Sequence, residues 1–346
     1  MCAFWHICYE PIETVVEKRA CKGPCLVVFA VRAEVGGVNM QDLIEFLKQE
    51  GVSKSLLDGV QAFKAQYPVV PELKNRVPQP KYYYYGNDVW EKALAVLLTG
   101  RNLLLAGPKA TGKNVLSENL AALFGRPVWN VSFHINADAA YLIGTDTFDG
   151  QKVVFRPGPI METAVYGGFA ILDEINMAKN EALAVMHSAL DYRRMIDVSG
   201  YDRVEIAPAA RFIATMNYGY AGTRDLNEAL CSRFAIIDMP NITEDDLVKL
   251  ITTHYPKLKR KMAEQFSKLF TEIEKKAENS EISDRALDLR GMLDAIGLIE
   301  TGLTSGDALK LCIVNQTFDA YERGLIQDVI AARIPQDLKT GDVFEA

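Results

Sequence analysis

Asn102-Leu103-Leu104-Leu105-Ala106-Gly107-Pro108-Lys109-Ala110-Thr111-Gly112-Lys113-Asn114-Val115-Leu116 reads as a strand, a glycine loop and the start of a helix. Residues 102–106 are a short, nearly continuous apolar run, the pattern of a parallel strand covered on both faces. Residues 107–113 have the form G-x-x-x-x-G-K, and residues 114–124 carry Val115, Leu116, Leu120, Leu123 and Phe124 on one helical face, with Gly125 as a stop. A loop in this setting cradles phosphate. Gly107 and Gly112 let the backbone approach an anion, the helix N-terminus adds positive potential, and Lys113 reaches the β- and γ-phosphates. The expected nucleotide-binding residues are Gly107, Pro108, Lys109, Ala110, Thr111, Gly112, Lys113, Asn114 and Val115.

Asn114 breaks the pattern, because the position after the lysine is normally Ser or Thr, whose hydroxyl ligates Mg²⁺. An amide oxygen still suits a hard cation, so Asn114 remains a metal ligand in this reading. The longer ligand makes Mg²⁺ placement and turnover the properties that this change affects.

Gly168-Phe169-Ala170-Ile171-Leu172-Asp173-Glu174 is a second buried-strand run and ends in paired carboxylates. In P-loop enzymes such an Asp holds Mg²⁺ and the following Glu polarises the attacking water. Asp173 is therefore the second expected metal ligand and Glu174 the catalytic carboxylate that polarises the water.

With these motifs in place, the chain from about Tyr84 onward resembles the AAA+ ATPases, and within them the MoxR-like branch that includes the CbbQ and NorQ proteins. Arg211-Phe212-Ile213-Ala214-Thr215-Met216-Asn217 looks like the sensor 1 strand, with Asn217 sensing the γ-phosphate. Leu226–Phe234 resembles the segment ending in Arg-Phe, where Arg233 acts as a finger on the neighbouring subunit's nucleotide. Phe155-Arg156-Pro157-Gly158-Pro159-Ile160 is similar to the helix-2 insert of the branch. Leu289-Arg290-Gly291-Met292-Leu293, ahead of Leu298–Leu303, is similar to the sensor 2 region, which makes Arg290 the first choice for sensor 2 and Arg285 the second. The resemblance implies ATP and Mg²⁺ as ligands and a homo-oligomer, a hexameric ring. It also implies a client or adaptor protein, commonly one with a von Willebrand A-type domain. The segment leading into the first core helix often contacts the base in this family. Tyr84 or Tyr85 is thus a candidate for stacking on adenine, with plain core packing the favoured alternative.

The fold class expected is α/β: a P-loop AAA+ αβα core with a parallel sheet over 81–240 and a helical lid over 241–346. Residues 1–80 make a small N-terminal α+β region, with a strand in Leu26–Val31, helices over Met40–Gln49 and Leu56–Gln66, and a proline-rich linker from Val69 to Pro80. Hairpins are expected over 146–157 and Met195–Ile206. In the MoxR-like branch such insertions face the central pore or its rim. In the lid, Thr243 caps a helix that opens on Glu244, Asp245 and Asp246, and further helices cover Leu258–Lys276, Leu287–Thr301, Gly306–Gln316 and Ala320–Ile334.

The 346 residues suffice for two or three compact units. A net charge of −7 argues against sequence-independent nucleic-acid binding, and Lys257–Lys261 reads as a solvated helix face. No apolar stretch approaches the ~20 residues that span a bilayer, and Met1–His6 lacks the basic flank of a signal peptide, so a cytoplasmic protein without membrane partners is expected. Cys2, Cys8, Cys21 and Cys25, near His6, are expected to be ordinary reduced thiols, with a zinc site the competing reading. Three functions fit: a ring ATPase that remodels a partner, a slow-turnover nucleotide-gated scaffold, and the ATPase subunit of a metal chelatase.

Overall fold

The computed structural model describes residues 40–198, 200–218 and 226–345. The expected strand at Leu26–Val31 and the cysteines of the first 25 positions lie outside them. In chain order the elements begin with helices α1 (Met40–Gln49), α2 (Lys54–Gln66) and α3 (Asn87–Leu98), then strand β1 (Asn102–Gly107) and α4 (Lys113–Phe124). Next come β2 (Val128–Ser132), α5 (Ala139–Ile143), β3 (Gly144–Phe148), β4 (Val153–Pro157), α6 (Pro159–Tyr166) and β5 (Phe169–Asp173). They are followed by α7 (Asn180–Ala184), α8 (His187–Leu190), β6 (Met195–Ile196), β7 (Val204–Glu205), β8 (Arg211–Asn217), α9 (Glu228–Cys231) and β9 (Phe234–Asp238). The rest is helical: α10 (Glu244–His254), α11 (Arg260–Glu278), α12 (Leu289–Glu300), α13 (Ser305–Cys312), α14 (Ala320–Arg333) and α15 (Thr340–Val343).

Five strands form one parallel sheet in the order β2-β5-β8-β1-β9. Its apolar runs are continuous because both faces are covered. Leu103 and Leu105 of β1 join the apolar cluster that includes α3 and α4, whereas Leu104 joins the opposite cluster with α5, α6 and α8. Phe169 and Ile171 of β5 divide from Ala170 and Leu172 in the same way. This is the two-residue period of a strand read from both sides. All-parallel pairing also directs every strand's C-terminal end to one edge, where ligands of open α/β sheets bind.

The short strands are the expected hairpins. β3 pairs antiparallel with β4, and β6 with β7. Tyr201, between β6 and β7, donates its hydroxyl to Asp146 on β3 and lays its ring 4.9 Å from that of Phe155 on β4, so the two hairpins are tied together.

The boundary expected at residue 80 is not a packing boundary. The described residues form one compact unit. Leu43 and Leu47 of α1 and Leu57, Val60 and Phe63 of α2 are buried in the same cluster as Trp90, Leu94 and Leu97 of α3 and Leu120 and Phe124 of α4. The apolar faces of α1 and α2 thus close the outer side of the nucleotide-binding layer. The proline-rich segment is a docked strap containing a 3₁₀ turn at Pro71–Arg76. Its Arg76 guanidinium lies 5.0 Å over the Trp129 ring.

The helical region has a core of its own, built from α10 to α14 around Leu247, Phe266, Phe270, Leu293, Ile296 and Ile330. The chain end closes it, with Phe344 bridging to Leu258 and Val343 fully buried.

Candidate functional site

The glycine loop joins β1 to α4 at the C-terminal edge of the sheet, and its geometry follows from a few residues. Gly112 has φ +79°, a left-handed conformation, and a Cβ there would come 3.0 Å from the Tyr84 ring. At Gly107 the constraint differs from the phosphate approach anticipated above: a Cβ would meet Met239 Cβ and carbonyl oxygen, both at 3.0 Å. The chain leaving β9 passes directly over it. Ala110 carries a φ of +61° without being glycine, a cost accepted in the middle of the loop. α4 then begins with no side-chain cap, leaving its leading N–H groups to the loop's concavity.

Lys113 is buried, and its ammonium donates to Gly107 O at 3.0 Å, Pro108 O at 2.5 Å and Thr111 Oγ1 at 3.2 Å. All three donors are therefore used to staple the loop. Burial pulls its pKa down to about 8, against the opposing pull of Asp173 and Glu174.

Across the loop stand the paired carboxylates. Asp173 ends β5; its Oδ1 accepts from Thr215 Oγ1 at 2.5 Å and its Oδ2 from Asn114 Nδ2 at 3.3 Å. Glu174 has φ +54°, and its backbone N–H donates to Thr215 Oγ1 at 3.1 Å. Asn217 Nδ2 donates to Glu174 Oε1 at 3.3 Å, while Asn176 Nδ2 donates to Asn217 O at 2.8 Å. The β1–β8 register sets Asn217 beside Gly107, level with the start of the loop. The structure thus brings together Lys113, Asn114, Asp173, Glu174 and Asn217.

These oxygen donors suit Mg²⁺, which prefers carboxylate, phosphate and water and keeps part of its hydration. Among the described residues no cluster of three His, Cys, Asp or Glu side chains forms a self-sufficient site. That donor set fits an ion completed by phosphate and water. Asn114 presents its amide N–H, not its oxygen, to Asp173; ligation through the oxygen requires the amide to turn over.

Beside the loop is a cavity of ≈ 240 Å³, walled by Tyr84, Thr111, Val115, Ile242, Leu250 and Leu289 among others. It draws on the tyrosine run, the loop and the helical region at once, and its apolar walls suit a purine base. Tyr84 is 7% exposed and packs into the core, so core packing describes its ring, although both Tyr84 and Tyr85 line the cavity. Fully buried Asn119 of α4 fixes this strand of chain, accepting from Tyr84 N at 3.0 Å and donating to Tyr82 O at 2.9 Å.

The arginines are placed differently. Arg290 is exposed at the start of α12, and its charge counteracts the burial that raises the pKa of Glu118 on α4. Arg285 is also exposed, and its neighbour Asp284 pairs with Lys109 of the loop at 3.0 Å. Both segments therefore meet the nucleotide-binding layer, and Arg290 is the one whose charge acts on the helix behind the loop. Arg233 is engaged by its own chain: Nε donates to His187 O at 3.2 Å, Nη1 to Ala229 O, and Nη2 lies 3.5 Å from Asp191 Oδ2. The Arg233 carbonyl accepts from Asn102 at the start of β1, so it stands at the end of the sheet opposite the glycine loop.

Thr215, Asn119 and Asn176 were not among the residues expected at the site. Thr215 had a signal: it is two residues before Asn217, so a strand's period puts both on one face.

Residues 102–234 match the family profile described as AAA domain (dynein-related subfamily). The chain is 30% identical over 301 residues to the uncharacterized protein YojN of Bacillus subtilis (strain 168), covering 85% of this chain and 97% of that protein. It is 32% identical over 259 residues to the uncharacterized protein SH1500 of Staphylococcus haemolyticus, covering 72% of this chain and 98% of that protein. The similarity to the uncharacterized Staphylococcus aureus protein SAB1265c is also 32%, over 257 residues.

Proposed function

The chain belongs to the AAA family, carrying a P-loop AAA domain of the dynein-related subfamily, and from that premise we propose that it is a ring-forming ATPase of MoxR-like type that remodels a partner protein. The observation that carries the reading is the convergence of Lys113, Asp173, Glu174 and Asn217 at one sheet edge. In the proposed mechanism the loop N–H groups and Lys113 hold the phosphates, the ammonium exchanging its carbonyl partners for phosphate oxygens. Asp173, and Asn114 with its amide turned over, would hold Mg²⁺, which would offset the charge of the β- and γ-phosphates. Glu174 orients the attacking water, and Asn217 fixes the Glu174 carboxylate. Arg290 approaches from the helical region. Arg233, released from His187 and Asp191, completes the site of a neighbouring subunit. An arginine given in trans is worth ~10³–10⁵ in rate, so turnover depends on assembly. The paired hairpins, bearing exposed Phe148 and Val153, are the part that contacts a client, as an adaptor with a von Willebrand A-type domain would.

Steady-state ATP hydrolysis across a protein concentration series, with Glu174→Gln and Arg233→Ala alongside, tests this. Specific activity that rises with concentration and is lost in both variants is the expected result. Equal activity at all concentrations, unaffected by Arg233→Ala, would sink the ring reading.

The Asn114–Asp173 hydrogen bond favours one second reading, a slow-turnover scaffold, because the metal carboxylate is partly satisfied by the protein itself. A large gain in turnover for Asn114→Thr supports the scaffold; no change leaves the remodelling ATPase.

A further inference from the structure

We infer that Thr215 is a positioning residue that sets the geometry of both site carboxylates through a single hydroxyl. This inference deepens the ATPase reading and rests on it. Thr215 is 2% exposed, near the end of β8. Its Oγ1 receives the Glu174 backbone N–H at 3.1 Å and lies 2.5 Å from Asp173 Oδ1. A hydroxyl has one proton. A carboxylate oxygen only accepts, so the hydroxyl's own proton points at Asp173, while a lone pair of the hydroxyl receives the Glu174 amide. The chain of donors therefore runs in one direction, from the Glu174 amide through the hydroxyl to the Asp173 carboxylate.

This direction has two effects. One Asp173 oxygen is held on the β8 side, which turns the other, Oδ2, toward Asn114 and the loop, where Mg²⁺ would be held. The Glu174 backbone, in a left-handed conformation that a non-glycine residue adopts at a cost, is pinned at its N–H. Its side chain is then in reach of Asn217, two residues beyond Thr215 on the same strand face. β8 thus supports the two acids with alternate residues: Thr215 at the Asp173 carboxylate and the Glu174 amide, Asn217 at the Glu174 carboxylate. Support of this kind behind a metal ligand typically changes metal affinity or activity by about 10–100-fold when removed.

Thr215→Val keeps the shape and deletes the hydroxyl; Thr215→Ala deletes it with less bulk; Thr215→Ser retains it. The readout is binding of a fluorescent ATP analogue titrated with MgCl₂, supplemented by turnover. Expected is at least a tenfold rise in the Mg²⁺ concentration needed for half-maximal nucleotide binding in Thr215→Val or Thr215→Ala, with Thr215→Ser within about threefold of wild type. Circular dichroism melts select whichever deletion variant is folded. A folded deletion variant with the wild-type Mg²⁺ requirement would overturn the inference while leaving the ATPase reading intact. Wild-type protein that binds the analogue with no Mg²⁺ dependence would overturn both.

Discussion

The helix behind the glycine loop and four helices of the C-terminal region begin in opposite ways, although α11, like α4, has no side-chain cap. α10, α12, α13 and α14 each start on a side chain that accepts a backbone N–H: Thr243 from Asp246, Asp288 from Arg290, Thr304 from Asp307 and Asp319 from Glu322. α4 starts on left-handed Gly112 with no such acceptor. A capped end is closed to ligands and its donors contribute to stability; an uncapped end keeps its donors for an anion. Buried charge divides similarly. Lys113 is desolvated yet held by loop oxygens where phosphate is expected, whereas Glu274 of α11 is pushed up to about 7 by burial and by Glu278. The sheet edge is organised for binding, and the helical region for standing up.

The comparison can be broken at three places. The largest effect belongs to Lys113. Its pKa of about 8 is below the ordinary 10.5, so between these values the folded protein binds fewer protons than the unfolded chain. Stability from this group therefore increases as pH rises through that window. Phosphate binding runs the other way, because it needs the protonated ammonium. Nucleotide affinity is expected to fall about tenfold between pH 7 and pH 9, measured by fluorescence titration, as the protonated fraction drops. A flat profile would place the Lys113 pKa above this window.

Next is Glu274. Its pKa is raised from 4.5 to about 7, so the folded state holds the extra proton in that window and stability falls as pH rises across it. After allowance for solvent screening, Glu274→Gln should raise unfolding stability by about 1 kcal/mol at pH 8 and by little at pH 5, in paired denaturant titrations. Nucleotide binding should not change; if it does, the two regions are not separable in this way. The smallest effect is Thr304→Ala, which removes the cap of α13 and should cost about 0.5–1 kcal/mol at either pH, again without altering nucleotide affinity.

Much of this division was legible in the residues. Apolar runs covered on both faces announce β1, β5 and β8, and Thr243 ahead of three acids announces α10, because these signals are local. What escaped depends on partners distant in the chain. α1 and α2 look like a separate unit until their apolar faces meet α3 and α4. Gly107 looks like a concession to phosphate, yet Met239, brought over it by β9, also crowds any side chain there. Asn114 reads as a metal ligand from its place after Lys113, while its amide's donation to Asp173 depends on a residue 59 positions away. The acceptors that engage Arg233 within its own chain, His187, Ala229 and Asp191, were also not legible from its motif.

The base-sized cavity has walls from four stretches far apart in sequence: the tyrosine run, the glycine loop, the turn into α10, and Leu289 at the start of α12. Neither half of the molecule owns it. A gene fragment encoding only the sheet layer would inherit the phosphate loop without a complete purine seat, and one encoding only the helices would inherit a wall with nothing to enclose. Recombination that exchanged the helical region between relatives would therefore exchange part of the cavity wall with it. The two segments have reason to be inherited, and to change, together.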